Sequence, residues 1–377
     1  MLLRYGLNLI IGMLSLLICQ ISILHADVIQ SQKHHFNVEV VTGSLQHPWG
    51  LAFLPGGGIL VTERTGRLRR IEDGSLLPTP IAGLPKIREK GQGGLLGIAL
   101  HPGFAQNRWL YLAYAAGNWG NYSTEVLRGR LDGSQLSDVQ TIFKAVPKSG
   151  GGRHFGSRLV FGRDQTLYIS LGDRGERAAA QDVGDHRGTL IRVNDDGSVP
   201  PDNPFVGDAK ARPEIYTYGN RNMQGMAMHP VSGAIWTHEH GPQGGDEVNI
   251  MRAGVNYGWP AITYGVNYGS GTPIGEGTHK AGMAQPIHKW VPSIAPSGMA
   301  FYTGDAFPSW KGNLFVGSLK FGLLVRLEVQ GEQVVSEERM LDGRYGRIRD
   351  VVQGPDGSLY LLTDDREGQL LKLTPAS

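Results

Sequence analysis

Gly50-Leu-Ala-Phe-Leu-Pro-Gly-Gly-Gly-Ile-Leu-Val-Thr-Glu63 places apolar side chains two residues apart, turns at Pro and Gly, and then adds a second apolar run. A period of two on both sides of a turn is typical of a β-hairpin. Five further stretches repeat this pattern in whole or in part, and successive copies begin 47 to 73 residues apart. The copies begin at Gly50, Gly97, Ser157, Gly225, Gly298 and Asp350.

Six copies of a hairpin at this spacing indicate a repeat architecture. A four-stranded propeller blade takes about 40–50 residues, and inserted loops lengthen it. The sequence therefore predicts an all-β, six-bladed β-propeller with four-stranded antiparallel blades, formed as a single domain by residues 27–377. In closed propellers the first strand often completes the last blade, so we expect Phe36–Thr42 to pair with the final run at 369–374.

The composition agrees with many short strands joined by turns. The 377 residues include 55 Gly and 21 Pro, and charged residues make up 19%, against an average of about 25%. The net charge of +2 and the absence of a Lys/Arg run argue against nucleic acid as a partner. The single cysteine, Cys19, excludes structural disulfides.

The N-terminus has the pattern of a secretory signal peptide. Arg4 precedes an apolar stretch over residues 9–24, and Ala26 ends it before a polar sequence. We predict cleavage of residues 1–26, a periplasmic location and no stable membrane insertion after cleavage. The alternative is an uncleaved anchor, because the apolar stretch is nearly long enough to span a bilayer.

His154 and Asp173 are the first candidate catalytic pair. His154 precedes a predicted strand and Asp173 follows its hairpin partner, so both should lie at the same edge of one blade. A histidine can act as a general base near neutral pH, and a carboxylate on its other ring nitrogen fixes its tautomer. The alternative is a surface histidine and a turn aspartate.

Two further sets of polar side chains lie next to predicted blade strands. Arg221 and Asn222, in Gly219-Asn-Arg-Asn-Met-Gln-Gly225, offer donors for a carboxylate or a quinone oxygen. Arg347 and Arg349 are two apart on a strand and should point the same way, forming a cationic wall with Lys320. Each could instead be a solvated charge.

The stretch Glu239-His-Gly-Pro-Gln-Gly-Gly-Asp-Glu-Val-Asn249 offers hard oxygen ligands. Backbone carbonyls near Gly241 and Pro242, with the carboxylates Asp246 and Glu247, suit calcium, which takes six to eight oxygens. No thiolate accompanies the histidines, so the stretch does not match a zinc motif. The alternative is an acidic glycine-rich loop.

Taken in order along the chain, these stretches resemble the glucose/sorbosone dehydrogenase family over roughly residues 40–375. This family comprises quinoproteins that use pyrroloquinoline quinone (PQQ) and calcium, and the match is closest to the periplasmic aldose sugar dehydrogenases. The resemblance implies a six-bladed propeller that oxidises the anomeric carbon of aldoses to lactones. A separate electron acceptor is implied, since no haem-attachment motif is present, and we expect a monomer.

The resemblance also implies roles for individual residues. His154 is expected to be the base, Asp173 its orienting carboxylate, and Arg221 the group that stabilises negative charge on the quinone. The expected cofactor contacts are Gln92, Arg221, Asn222, Tyr268, Ser318, Leu319, Lys320, Arg347, Ile348 and Arg349. The carbonyls of Gly241 and Pro242 are expected to bind the catalytic calcium, and Glu247 and Tyr257 a structural calcium.

The sequence departs from the family pattern at two positions. Met223 replaces a proline, which changes the stiffness of its loop but removes no contact group. Ser157 stands where glycine is common, and we expect its hydroxymethyl group to narrow the sugar site. Two other functions are compatible with this fold: a calcium-dependent propeller that hydrolyses lactones or esters, and a secreted propeller that only binds a glycan or protein.

Overall fold

The computed structural model describes residues 28–118 and 120–376. The predicted signal peptide and Cys19 therefore lie outside the described residues. Within them the only α-helix is α1 (Phe104–Asn107), and short 3₁₀ turns occur at Arg177–Gln181 and Pro308–Trp310. No helix in this part of the chain is long and apolar enough to cross a membrane.

The strands form six antiparallel sheets, one for each predicted blade. Two strands precede the first blade, β1 (Ile29–Gln30) and β2 (His35–Leu45). The strands of blades one to three follow in chain order as β3 (Pro48–Phe53), β4 (Ile59–Glu63), β5 (Arg67–Glu72) and β6 (Ser75–Leu76); β7 (Leu95–Leu100), β8 (Trp109–Asn118), β9 (Asn121–Asp132) and β10 (Gln135–Lys144); and β11 (Leu159–Phe161), β12 (Leu167–Ser170), β13 (Leu190–Val193) and β14 (Ile215–Thr217).

Blades four to six continue the same arrangement. Their strands are β15 (Met223–Met228), β16 (Ile235–Glu239), β17 (Asp246–Ile250) and β18 (His288–Trp290); β19 (Pro296–Phe301), β20 (Leu314–Ser318), β21 (Leu324–Gln330) and β22 (Gln333–Met340); and β23 (Ile348–Gln353), β24 (Leu359–Thr363) and β25 (Gly368–Pro375). The first strand of each blade contacts the first strands of its neighbours, so β3, β7, β11, β15, β19 and β23 surround the central channel.

The ring closes as the sequence predicted. Strand β2 pairs antiparallel with β25, with Val38 opposite Leu373, and so completes the sixth blade with a strand from the other end of the chain. The short β1 pairs with β2 and makes this blade five-stranded. This joint pairs strands from near the two ends of the described residues.

Buried apolar side chains lie between blades, with one cluster at each of the six interfaces of the described ring. Close approach at the channel explains the glycine that begins most copies of the repeat. A Cβ on Gly97 would lie 2.0 Å from the carbonyl oxygen of Ser157 in the next blade, and one on Gly225 would lie 1.9 Å from His238.

An ion pair crosses the centre of the ring. Arg158 from blade three donates to the Asp350 carboxylate of blade six at 2.9 Å, and both side chains are buried. The Arg158 guanidinium also stacks on Trp49 of blade one, 4.4 Å from its ring centre. Blades on opposite sides of the channel are therefore tied together.

Candidate active site

A cavity of about 990 Å³ opens at one end of the channel. First strands begin and second strands end at this rim, because neighbouring strands in each blade are antiparallel. Seven of the predicted site residues line the cavity: Gln92, Pro242, Tyr268, Leu319, Lys320, Arg347 and Arg349. The blade geometry therefore gathers residues that are up to 257 positions apart in the sequence.

The structure places His154 and Asp173 in direct contact. His154 Nδ1 lies 2.6 Å from Asp173 Oδ1, and their side chains are 11% and 1% exposed. Strands β11 and β12 form the hairpin that brings the two residues together. The edge-of-blade geometry inferred from the sequence is observed, and a solvated histidine with an unrelated turn aspartate does not describe it.

The protonation states suit a general base. Burial lowers the pKa of His154, although the Asp173 hydrogen bond opposes this shift. Burial alone would raise the pKa of Asp173, but the hydrogen bonds from His154 and Gly175 and the charge of Arg221 outweigh it and lower the pKa. The pair is therefore a neutral imidazole on an ionised carboxylate, with Nε2 as the basic nitrogen.

Two side-chain amides hold the loop that carries His154. Gln92 Oε1 accepts the backbone N–H of His154 at 2.8 Å, and Asn222 Oδ1 accepts that of Gly156 at 3.1 Å. His154 has a φ of 54°, which is uncommon for a residue with a side chain and needs support from its surroundings. Gln92 and Asn222 thus set the position of the histidine, a task that the sequence did not reveal.

Asn222 has a second property that points to a ligand. Its Nδ2 is buried and has no hydrogen-bond partner among the described residues. A buried donor without a partner is costly, typically about 1–3 kcal/mol. A bound molecule that presents an acceptor oxygen here would satisfy it.

Arg221 lies beside the calcium-ligand candidates. Its Nη1 donates to the carbonyl oxygens of His240 and Gly241 at 3.0 and 2.8 Å. Its backbone N–H donates to the buried Glu239 carboxylate, whose other oxygen accepts from Asn220 at 2.8 Å. Arg221 is therefore held rigidly, and it lines a smaller cavity that shares His240 with the large one.

The predicted cationic wall exists but contains an acid. Arg349 donates to Asp364 at 2.7 Å and Arg347 donates to the same oxygen at 3.3 Å. Burial alone would raise the pKa of Asp364, but the charge and hydrogen bond of Arg349 outweigh burial and lower it. Lys320 has no acidic partner within the described residues. The wall keeps a net positive charge.

A second, much smaller cavity of about 10 Å³ is lined by Glu239, Glu247 and Tyr257, among others. This volume suits one small occupant. Burial raises the pKa of Glu239 to about 7, and burial together with the charge of Glu239 raises that of Glu247 to about 8. The charges of Arg221 on Glu239 and of Lys289 on Glu247 oppose these shifts, but burial outweighs them. Two buried carboxylates at one small cavity offer the oxygen ligands that calcium takes, so the donor chemistry agrees with the predicted structural site.

The carbonyls predicted for the catalytic calcium are only partly engaged. Pro242 O accepts from the Tyr268 hydroxyl at 2.9 Å, and Gly241 O accepts from Arg221. A carbonyl oxygen has two lone pairs, so each retains one for a cation. In the described chain no group of three or more His, Cys, Asp or Glu side chains is placed to hold a metal. A cation would therefore need backbone oxygens and water as well.

Three positions named in the sequence analysis lie buried away from the cavity. Ser318 is fully buried and its Oγ donates to Ile294 O at 2.6 Å, while the Ile348 side chain packs in the core between blades five and six. Neither residue lines the cavity. The Ser318 N–H donates to Leu323 O at 2.9 Å and the Ile348 carbonyl accepts from Ser297 Oγ at 2.6 Å, so the structure shows no free group of either residue directed at the cavity. The expectation for Ser157 was wrong: its Oγ donates to Phe155 O at 3.0 Å in the buried interior and cannot narrow a sugar site.

Sequence reasoning missed several residues of this site. Trp49, Gln224 and His240 line the cavity, as does His47, whose Nδ1 lies 3.0 Å from Asp364 Oδ1. Asp364 directly follows the second strand of blade six, and Asp173 lies three residues beyond the second strand of blade three. The rule that identified Asp173 would therefore have identified Asp364.

The fold and site together define a six-bladed propeller with a buried histidine–aspartate pair beside a cationic cavity. A family model described as glucose/sorbosone dehydrogenase matches residues 45–372. The chain is 48% identical over 344 residues to the aldose sugar dehydrogenase YliI of Escherichia coli K12, covering 90% of this chain and 93% of that protein. The chain belongs to the glucose/sorbosone dehydrogenase family.

Solved structures agree with this assignment. A crystal structure of a glucose dehydrogenase is 50% identical, with a TM-score of 0.88 over 90% of this chain and all of the other. The PQQ-bound form of the aldose sugar dehydrogenase from Streptomyces coelicolor is 29% identical, with a TM-score of 0.75 over 90% of this chain and 98% of the other.

Proposed function

We propose that this protein is a PQQ- and calcium-dependent aldose sugar dehydrogenase that oxidises the anomeric carbon of aldoses to the lactone. The observation that carries the proposal is the buried His154–Asp173 pair beside a cavity with Lys320 and two arginines on its wall. The relatives support it, since they include named aldose sugar and glucose dehydrogenases and a PQQ-bound structure.

The residues present fit the cofactor. Lys320, Arg347 and Arg349 would hold its carboxylates, because arginine and lysine are the usual partners of such groups. The unpaired Nδ2 of Asn222 and the guanidinium of Arg221 would meet its quinone oxygens. When bound, PQQ supplies the redox chemistry by accepting a hydride from the sugar.

The chain itself handles the proton. Nδ1 of His154 is occupied by Asp173, so Nε2 takes the proton from the anomeric hydroxyl as the C1–O bond becomes a carbonyl. Asp173 stabilises the imidazolium that forms. Burial of the pair excludes water and strengthens this interaction.

Calcium would be held at two places. The carbonyls of Pro242, at the large cavity, and of Gly241, at the small one, would hold one ion, and the Glu239 and Glu247 carboxylates with Tyr257 would hold another in the small cavity. Calcium prefers such oxygen donors in flexible numbers. We also propose export to the periplasm by the predicted signal peptide, a monomeric state and electron transfer to a separate acceptor.

The test is dye reduction by the purified mature protein with PQQ, calcium and a panel of aldoses, each also omitted in turn. We expect reduction only when sugar, cofactor and calcium are all present. Hydrolysis of lactones without PQQ would favour the hydrolase. Failure to bind PQQ in the presence of calcium would contradict the quinoprotein assignment.

A further inference from the structure

The orienting carboxylate of the active site has a third partner. Trp259 Nε1 donates to Asp173 Oδ2 at 2.8 Å. The other oxygen, Oδ1, accepts from His154 Nδ1 at 2.6 Å and from the Gly175 backbone N–H at 2.7 Å. Both oxygens are therefore fixed, and the indole N–H is the only donor recorded on Oδ2 within the described chain.

Trp259 is itself held firmly. It is 4% exposed and packs with Ala180 and Ile274. Its backbone N–H donates to Gly219 O at 2.8 Å, and its carbonyl accepts from Gln181 Nε2 at 2.7 Å. Because these four contacts fix the indole, its N–H can hold the Asp173 carboxylate in one orientation, whereas a mobile donor could not.

We propose that Trp259 is a positioning residue for the base, which it orients through its indole N–H on Asp173. This inference rests on the proposed function, because it assigns a role in the same proton transfer. It differs from a packing role, since the effect depends on one hydrogen rather than on the volume of the ring.

This hydrogen bond should affect both the turnover rate and the pH at which His154 gains a proton. With the N–H present, Oδ2 is occupied and Oδ1 is directed at His154, so the ring presents Nε2 for proton transfer. The N–H also withdraws charge from the carboxylate. Without it the carboxylate binds the imidazolium more strongly, and the histidine protonates at higher pH. Loss of the N–H should therefore slow turnover and move the acid limb of the pH profile upward.

The chain contains a matched control. Trp290 is 1% exposed, and its Nε1 donates to Glu337 Oε2 at 2.9 Å. That carboxylate also contacts His288 Nε2 at 2.8 Å. Trp290 thus repeats the tryptophan–carboxylate–histidine arrangement at a place that does not line the cavity. Trp290→Phe removes the same atoms as Trp259→Phe.

The experiment compares both variants with the wild-type protein at saturating PQQ and calcium. We expect Trp259→Phe to lower kcat roughly tenfold or more, as expected for a lost hydrogen bond to a charged group. Its acid limb should rise by about half a pH unit or more, with PQQ affinity unchanged. Equal effects of the two variants on kcat and acid limb would overturn the proposal.

A second measurement uses the unmutated protein and needs no turnover. In a sample with ¹⁵N-labelled tryptophan and ¹³C-labelled histidine, the Trp259 Nε1–H resonance should move with the same midpoint as the His154 ring. A Trp259 resonance that stays constant through the His154 titration would contradict the coupling. If the wild-type protein reduces no dye but the resonances titrate together, the function fails while the positioning role stands.

Discussion

Blades three and six use the same backbone arrangement for different chemistry. In each, cationic or basic side chains lie before or at the start of the first strand, and an aspartate follows the second strand. His154 meets Asp173 in blade three, whereas Arg347 and Arg349 meet Asp364 in blade six. An antiparallel hairpin returns the chain to the rim, so it brings these two positions together whatever residues occupy them.

The two blades differ in the residue that contacts the aspartate and in the solvent exposure of the aspartate side chain. The Asp173 side chain is 1% exposed and is hydrogen-bonded to the neutral His154. A histidine can gain and lose a proton near pH 7. Asp364 is 11% exposed and lies between two arginines that stay charged, one of them 52% exposed. The first pair can move a proton, while the second carries fixed charges, which suit the proposed role in holding the cofactor carboxylates.

The largest expected effect is on the base itself. His154→Ala removes the proton acceptor, so turnover should fall by about 10²–10⁴-fold. PQQ affinity should be retained, because the expected cofactor cations lie in other blades. Steady-state kinetics and a PQQ titration give both values. His288→Ala, which removes a histidine paired with Glu337 outside the cavity, is the control. Normal turnover in His154→Ala would show that His154 is not the base.

The same substitution in both blades tests the comparison directly. Asp173→Asn keeps the shape but removes the charge that stabilises the imidazolium, so kcat should fall roughly 10²-fold or more. Asp364→Asn should lower kcat far less and should tighten PQQ binding, because it removes a negative charge beside the cofactor carboxylates. Steady-state kinetics and PQQ titrations of the two variants measure these effects. Equal losses of kcat would contradict the assignment of proton transfer to blade three and cofactor binding to blade six.

Much of this comparison was accessible from the sequence. The period-two runs and their spacing predicted six blades, and the position of Asp173 after a hairpin predicted its contact with His154. Asp364 follows from the same rule, although the sequence prediction for this blade named only the two arginines. Trp259 could not be placed, since it lies 86 residues from Asp173 in a long irregular loop without periodicity. The role of Ser157 was misjudged because the sequence does not show that its hydroxyl donates to Phe155 O in the buried interior.

Within blade six the two arginines should differ. Arg349 is 10% exposed and bonds both Asp364 and Gln224, so Arg349→Ala leaves a buried charge and should cost about 3 kcal/mol of unfolding free energy. Arg347 is 52% exposed, so Arg347→Ala should leave stability nearly unchanged. Both should weaken PQQ binding, roughly 10- to 100-fold. Urea unfolding without cofactor and PQQ titrations separate the effects, and equal stability losses would contradict the assignment of burial.

The smallest effect concerns pH. Because burial lowers the pKa of His154 below its ordinary 6.5, the base is unprotonated at neutral pH, and kcat/KM should fall only below about pH 6.5 as the ring gains a proton. The Asp173 hydrogen bond raises the pKa of His154, so Asp173→Asn should move this acid limb further down, by about one unit. Asp364→Asn should leave the acid limb in place, because Asp364 does not contact His154.

The Asp173→Asn and Trp259→Phe variants should shift the acid limb in opposite directions. That result would show that the hydrogen-bonded chain Trp259–Asp173–His154 sets the basicity of His154. A limb that moves with Asp364 instead would place the controlling charge in blade six.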